Sequence, residues 1–439
     1  MTGEQGLGAA LILAGFGLAG GCSRPATTTT LITNEQLQNA GYSSYWTTEL
    51  PLPVDDRIRA VHLVDDNLYV TTEQGFILAV SPEIGEVRWF AKISRPVDQV
   101  FQPAHAEVHG GAGPVVLVTS TELIVADRYS GDLWLRERLE FPPSSGAAAD
   151  VARVYLGSTT GQVYSYIWNN RINRLVESWR VDVGSTVAAS PVLGPRGELV
   201  FGARNGSVYC CESGTKIGLW EFRTDGPILA RPHVDESGVY VASMDRSVYR
   251  VDPVTGVQRW RCRLPQPLSE SPLVAGGTLF QYSDDDGLYA IDLERGTVLW
   301  RCEGGRHLVS RGDKEVGVLT SYGQLQILDA KTGQERHSFD VPSIDFVASN
   351  AKDATMILLR RDGRAVCAVP QDRPYLRRDQ AIAARSALTL PPAARQRRPA
   401  LLDPLLAPEP EDTTPVDPLM STTGSPPLST SGPISPERP

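Results

Sequence analysis

The sequence has no excess of positive charge and, after residue 22, no apolar run long enough to cross a bilayer. Its 42 lysines and arginines stand against 51 acidic residues, for a formal charge of -9. That is the wrong sign for a surface that neutralises phosphates, so nucleic acid is excluded as a partner. The motifs of covalent and phosphoryl chemistry are missing as well: no G-x-S-x-G, no Gly-rich phosphate loop ending in lysine, no haem-attaching C-x-x-C-H. No catalytic, cofactor-binding or metal-binding residue is assigned.

Cysteine is scarce, with six in 439 residues. If Cys22 is modified, Cys210, Cys211, Cys262, Cys302 and Cys367 remain, an odd set that cannot be fully paired within one chain. Cys262 and Cys302 fall on neighbouring repeats too far apart to bridge and read as small buried apolar residues. Cys210 and Cys211 are adjacent on a strand, where successive side chains point to opposite faces, so a vicinal bridge would distort it. Two histidines, His105 and His109 in HAEVH, have a metal spacing only on a helix; on an extended segment they read as solvated. Asp284, Asp285 and Asp286 lack the alternating ligands of a calcium loop and read as a hairpin turn ended by Gly287.

What is present is a repeat. Thr278 to Cys302, TLFQYSDDDGLYAIDLERGTVLWRC, reads as three short strands joined by glycine-bearing turns and ending in a tryptophan. The same grammar recurs in LYVTTEQGFILAVSPEIGEVRW, LVFGARNGSVYCCESGTKIGLW and VYVASMDRSVYRVDPVTGVQRW. Trp46, Trp89, Trp134, Trp179, Trp220, Trp260 and Trp300 follow one another at intervals of 43, 45, 45, 41, 40 and 40 residues. His337 takes the same slot in an eighth unit. A period of roughly 40 to 45 residues with several strands per unit is that of propeller blades. One blade cannot bury both faces, and a rigid ring fills the wide outer wedge between neighbours, so the tryptophans are assigned to blade packing.

Trp46 has no meander before it, and Phe346 to Pro370 supplies only three strands. Pairing the strand at Tyr45 to Leu50 with Val366 to Val369 closes the ring and removes two sheet edges. The expected fold is all-β: an eight-bladed β-propeller over 45-370, closed by its N-terminal strand. Seven blades is the second reading, since the second unit lacks its first turn glycine and the third carries a longer hairpin through Trp168, Asn169 and Asn170.

The ends differ from the body. Residues 1-21 read as an export signal, with the apolar run LGAALILAGFGLAGG before Cys22. Residues 22-44 form a Thr-rich tether and a short helix over Asn34 to Asn39, capped by Thr33 or Asn34 and stopped by Gly41. Residues 371-439 hold 14 of the 33 prolines and read as a disordered tail. Its basic half includes LRRDQAIAARSAL, read as a solvated linker or, secondarily, a short amphipathic helix.

Two resemblances add to this reading. LAGGC resembles the lipobox of bacterial lipoproteins, which implies cleavage before Cys22 and its lipidation; an ordinary secretory peptide is the second reading, and both export the chain. LYAIDLERGTVLW, VYRVDPVTGVQRW, FILAVSPEIGEVRW and LQILDAKTGQERH resemble the PQQ-like repeat. Eight such repeats behind a lipoprotein signal are similar to the BamB-type lipoproteins of outer-membrane β-barrel assembly. That resemblance implies a monomeric, non-catalytic scaffold without cofactor, at the periplasmic face of the outer membrane, whose face loops contact envelope proteins. The alternative is a small dehydrogenase using pyrroloquinoline quinone and calcium.

Overall fold

A computed structural model of the chain describes residues 30-108, 111-150, 152-169, 174-372 and 379-380. All of these lie in the first of two compact units, Met1–Leu401. Cys22, His109 and Asn170 lie outside the described residues, as do the signal segment and nearly all of the tail.

Among the described residues are eight four-stranded antiparallel sheets, so the count is eight blades and the seven-bladed alternative falls. Seven are simple meanders. Blade 1, for example, comprises Ile58–Val64, Asn67–Thr72, Phe76–Val80 and Val87–Lys92. Blade 2 comprises Ala104–Val108, Gly111–Val118, Glu122–Asp127 and Leu133–Arg138. The first strands touch from blade to blade, as those of blades 2 and 3, 3 and 4, 7 and 8, and 8 and 1 show. The two central strands of each blade are almost wholly apolar and buried, whereas the outer strand buries one side only, as in Val298–Glu303.

Blade 8 is assembled from both ends of the propeller. Its inner strands are Phe346–Ala348, Met356–Leu359 and Arg364–Pro370, and its outer strand is Tyr42–Glu49. The register sets Trp46 opposite Cys367 and Thr47 opposite Val366. Each strand thus satisfies the open edge of the other, and the ring is tied where it would otherwise fray.

The tryptophans then lock blade to blade. The indole of Trp260, on the outer strand of blade 5, donates from Nε1 to the carbonyl of Leu293 in the outer turn of blade 6, at 3.0 Å. Its ring covers Gly296, which has φ +69; a Cβ there would stand 2.5 Å from the ring, so close an approach requires glycine. Trp46, Trp89, Trp220 and Trp300 repeat this, donating to the carbonyls of Pro82, Arg128, Pro253 and Ala330. In blades 2, 5, 6 and 7 the turn is set up by its first residue: the carboxylates of Asp127, Asp252, Asp292 and Asp329 each accept two backbone N–H groups two and three residues on.

His337 keeps the register of a blade-locking residue, opposite Ile327 as Trp300 is opposite Ala290, but its side chain is exposed. The next blade has no outer turn for a ring to dock on, because its outer strand arrives from the N-terminus. The helix Asn34–Asn39 takes over that seam. Thr33 caps it in a capping box with Gln36, and Leu37, fully buried, packs with Ile32, Tyr42, Val341 and Phe339 between blades 7 and 8.

Candidate functional site

One seam breaks the locking rule. In the outer turns of blades 1, 2, 5, 6 and 7, glycine stands four residues after the turn's first residue; in blade 4 that place, counted from Glu212, is Lys216. Trp179, arriving from blade 3, therefore has no glycine to cover, and its Nε1 is buried with no hydrogen-bond partner among the described residues. The ring packs instead against Tyr155, Phe201 and Cys211. A buried N–H without a partner costs roughly 1 to 3 kcal/mol, which leaves this seam less firmly tied than the five that carry the indole–carbonyl bond.

The seam before it is irregular as well. Trp134 of blade 2 stacks on Trp168 of blade 3, centroids 5.2 Å apart, rather than on a turn glycine. Trp168 sits on the long third strand Gln162–Asn169, just before the extended hairpin that sequence reading singled out. Its Nε1 also lacks a partner among the described residues.

Where Lys216 replaces glycine the rim opens. A cavity of about 320 Å³ lies there, with walls that include Val181 of blade 3 and Phe201, Tyr209, Lys216 and Leu219 of blade 4. Ile217 and Leu219 beside it are 60% and 53% exposed, well above what packing within the blade requires. Among the described residues, exposed large apolar side chains recur on the outer turns and strands: Phe90, Tyr129, Leu133 and Val176 on blades 1 to 3, and Ile217, Leu219, Val254, Val257, Val298 and Leu299 on blades 4, 5 and 6. A groove with apolar walls, one lysine, one glutamate and an outer strand whose free edge runs beside it can take up an apolar or extended segment of another protein.

The other residues singled out by sequence fall as follows. Six of the seven assigned tryptophans are buried and Trp220 is half-buried, all in the seams between blades. Cys210, Cys211, Cys262, Cys302 and Cys367 are free and buried. Cys210 packs toward blade 5 and Cys211 toward blade 3, and burial pushes both thiols up to about 12, which leaves them protonated and unreactive. Asp284 to Asp286 form the turn between Thr278–Ser283 and Gly287–Asp292. Among the described residues no group of three or more His, Cys, Asp or Glu side chains is placed to hold a metal ion.

His105 is a correction. Rather than solvated, it is buried between blades 1 and 2, with Nε2 2.7 Å from the hydroxyl of Tyr69 and Nδ1 2.8 Å from a carboxylate oxygen of Asp65. The bond to His105 holds the Asp65 carboxyl below its usual range. Asn67 donates to Tyr69 and to the carbonyl of Arg128, the same carbonyl that receives Trp89. Sequence reading missed this latch, whose partners lie about one repeat apart; that separation is the only signal the chain carried.

The sequence profile of the family described as outer membrane protein assembly factor BamB matches residues 176–261 and 204–403, which together span just over half of the chain. Among curated proteins, none matches the sequence. Among solved structures, BamB from Moraxella catarrhalis aligns with a TM-score of 0.60 at 15% identity, over 76% of this chain and 99% of that one. The computationally designed Ika8 protein aligns with a TM-score of 0.57, also at 15% identity, over 73% of this chain and 98% of that one. At such identities the two structures speak for the fold alone.

Proposed function

The chain belongs to the BamB family of PQQ-repeat β-propellers, and from that premise we propose that it is a non-catalytic scaffold of the cell envelope that docks proteins of outer-membrane assembly. In this reading residues 1-21 are removed on export, Cys22 carries the lipid anchor, and 22-44 space the propeller from the periplasmic face of the outer membrane. The propeller works as a monomer, without a cofactor.

The observation that carries the reading is the opened rim between blades 3 and 4. There the locking glycine is replaced by Lys216 and exposed Ile217 and Leu219 flank an apolar groove. An envelope protein that inserts an extended, partly apolar segment would cover those side chains and pair with the free edge of Gly218–Arg223.

Site-specific photocrosslinking in intact envelopes tests this. A crosslinker at Leu219 is expected to capture an outer-membrane assembly protein, and one at Val54, which is more exposed at 86% against 53% and lies on the loop before blade 1, is not. Equal capture at both positions, or none at Leu219, would count against the groove. Cys22→Ser is expected to move the protein from the membrane fraction to the soluble periplasm.

A further inference from the structure

A second cavity, of about 480 Å³, lies between blades 1 and 2 on the side of the connection that joins them. Its volume falls within the roughly 300 to 1,000 Å³ of small-molecule sites. Its charged lining is Lys92, Arg95, Arg136 and Arg138 against Asp98 and Glu122, two positive charges in excess, in a chain whose formal charge is -9.

The four cations have different jobs. Arg95 grips Asp98 through Nε and Nη2, both at 3.0 Å, and Asp98 is itself buried. Arg136 holds Glu122 at 2.7 Å and donates to the carbonyl of Ile93. These two pairs build the wall. Lys92 and Arg138 are exposed and have no carboxylate partner among the described residues; the Lys92 ammonium rests over the Phe76 ring, 5.3 Å from its centre.

An ammonium and a guanidinium fork in a lining with an excess of two positive charges match one dianion that accepts several donors. We propose that this cavity binds a phosphate monoester, with Lys92 and Arg138 neutralising the phosphate and the remaining volume taking the organic part. The phosphate belongs to a soluble ester or to a lipid headgroup; the chemistry is the same. This site is separate from the blade 3–4 groove and does not rest on it.

The test titrates the full chain, carrying Cys22→Ser so that no acyl anchor contributes, by calorimetry with inorganic phosphate and glycerol 3-phosphate. In parallel it is floated with phosphatidylcholine vesicles with and without phosphatidic acid. Saturable binding is expected in at least one arm, weakened about tenfold by combined Lys92→Gln and Arg138→Gln and by raising salt to about 0.5 M. Neither side chain has a carboxylate partner among the described residues, so the urea midpoint of that double variant should fall by no more than loss of the Lys92–Phe76 contact allows, which separates lost binding from lost folding. Capture only by phosphatidic acid vesicles assigns the headgroup source; binding of glycerol 3-phosphate assigns the soluble one. No saturable binding in any arm, or binding indifferent to the double variant, overturns the site.

Discussion

The indole of Trp300 lies over Gly333 of the next blade, where a Cβ would come within 2.6 Å of the ring, and donates to the carbonyl of Ala330 at 3.1 Å. One residue thereby reads both the conformation and the position of a turn on its neighbour. Repeated at five seams, the contact makes each blade's outer edge depend on the next, so stability is shared round the ring and not held blade by blade.

Gly296→Ala should be among the most damaging single-methyl changes in the protein. The added Cβ meets the Trp260 ring at 2.5 Å and must adopt φ +69. Strained backbone and an overpacked contact together cost about 2 to 4 kcal/mol. Urea unfolding measures it, and a midpoint equal to that of the wild type would mean that the ring does not rest on this turn.

Trp300→Phe and Trp179→Phe remove similar rings from similar slots but only one hydrogen bond, since the Nε1 of Trp179 has no partner among the described residues. Trp300→Phe is therefore expected to be more destabilising, by about 1 kcal/mol. Equal losses, or a larger loss at Trp179, would contradict the reading of the blade 3–4 seam as loosely tied.

How much of this the sequence announces depends on how local the rule is. The tryptophan period and the missing fourth strand of the last blade are patterns along the chain, and they lead to eight blades and to pairing Tyr45 to Leu50 with Val366 to Val369, where the structure sets Thr47 opposite Val366. His337 shows where pattern stops being enough: its register is right, yet the turn its ring would need does not exist in blade 8, and Leu37 fills the seam. Lys216 is visible as a break in the turn motif, but the break has meaning only once Trp179 is known to arrive from the blade before. The burial of His105 depends on a turn one repeat away, beyond the reach of local periodicity.

Acid should weaken the propeller through its inner strands. Burial pushes the His62 imidazole from 6.5 down to about 4. Between those values the unfolded chain binds a proton that the folded chain refuses, so this contribution is complete above about pH 6.5 and is lost as pH falls toward 4. His233 and His307, also lowered by burial, act in the same sense. His62→Gln should flatten the fall in urea midpoint between pH 6.5 and 4.5 without abolishing it. Parallel pH profiles for wild type and variant would show that His62 does not titrate this way.

The latch between blades 1 and 2 lends itself to a double-mutant cycle. With Asp65 ionised, His105 donates to it from Nδ1, leaving Nε2 to accept from the Tyr69 hydroxyl, which in turn accepts from Asn67. Each atom has one role, and removing any member strands the next. Tyr69→Phe leaves His105 Nε2 buried without a donor, and His105→Leu removes the other end; each alone should cost about 1 to 3 kcal/mol. Because both changes break the same bond, the double variant should cost less than the two losses together, with a coupling of about 1 kcal/mol or more. Strict additivity would mean that the Tyr69–His105 contact contributes nothing to holding the two blades together, and the polar cluster would then be packing with incidental hydrogen bonds.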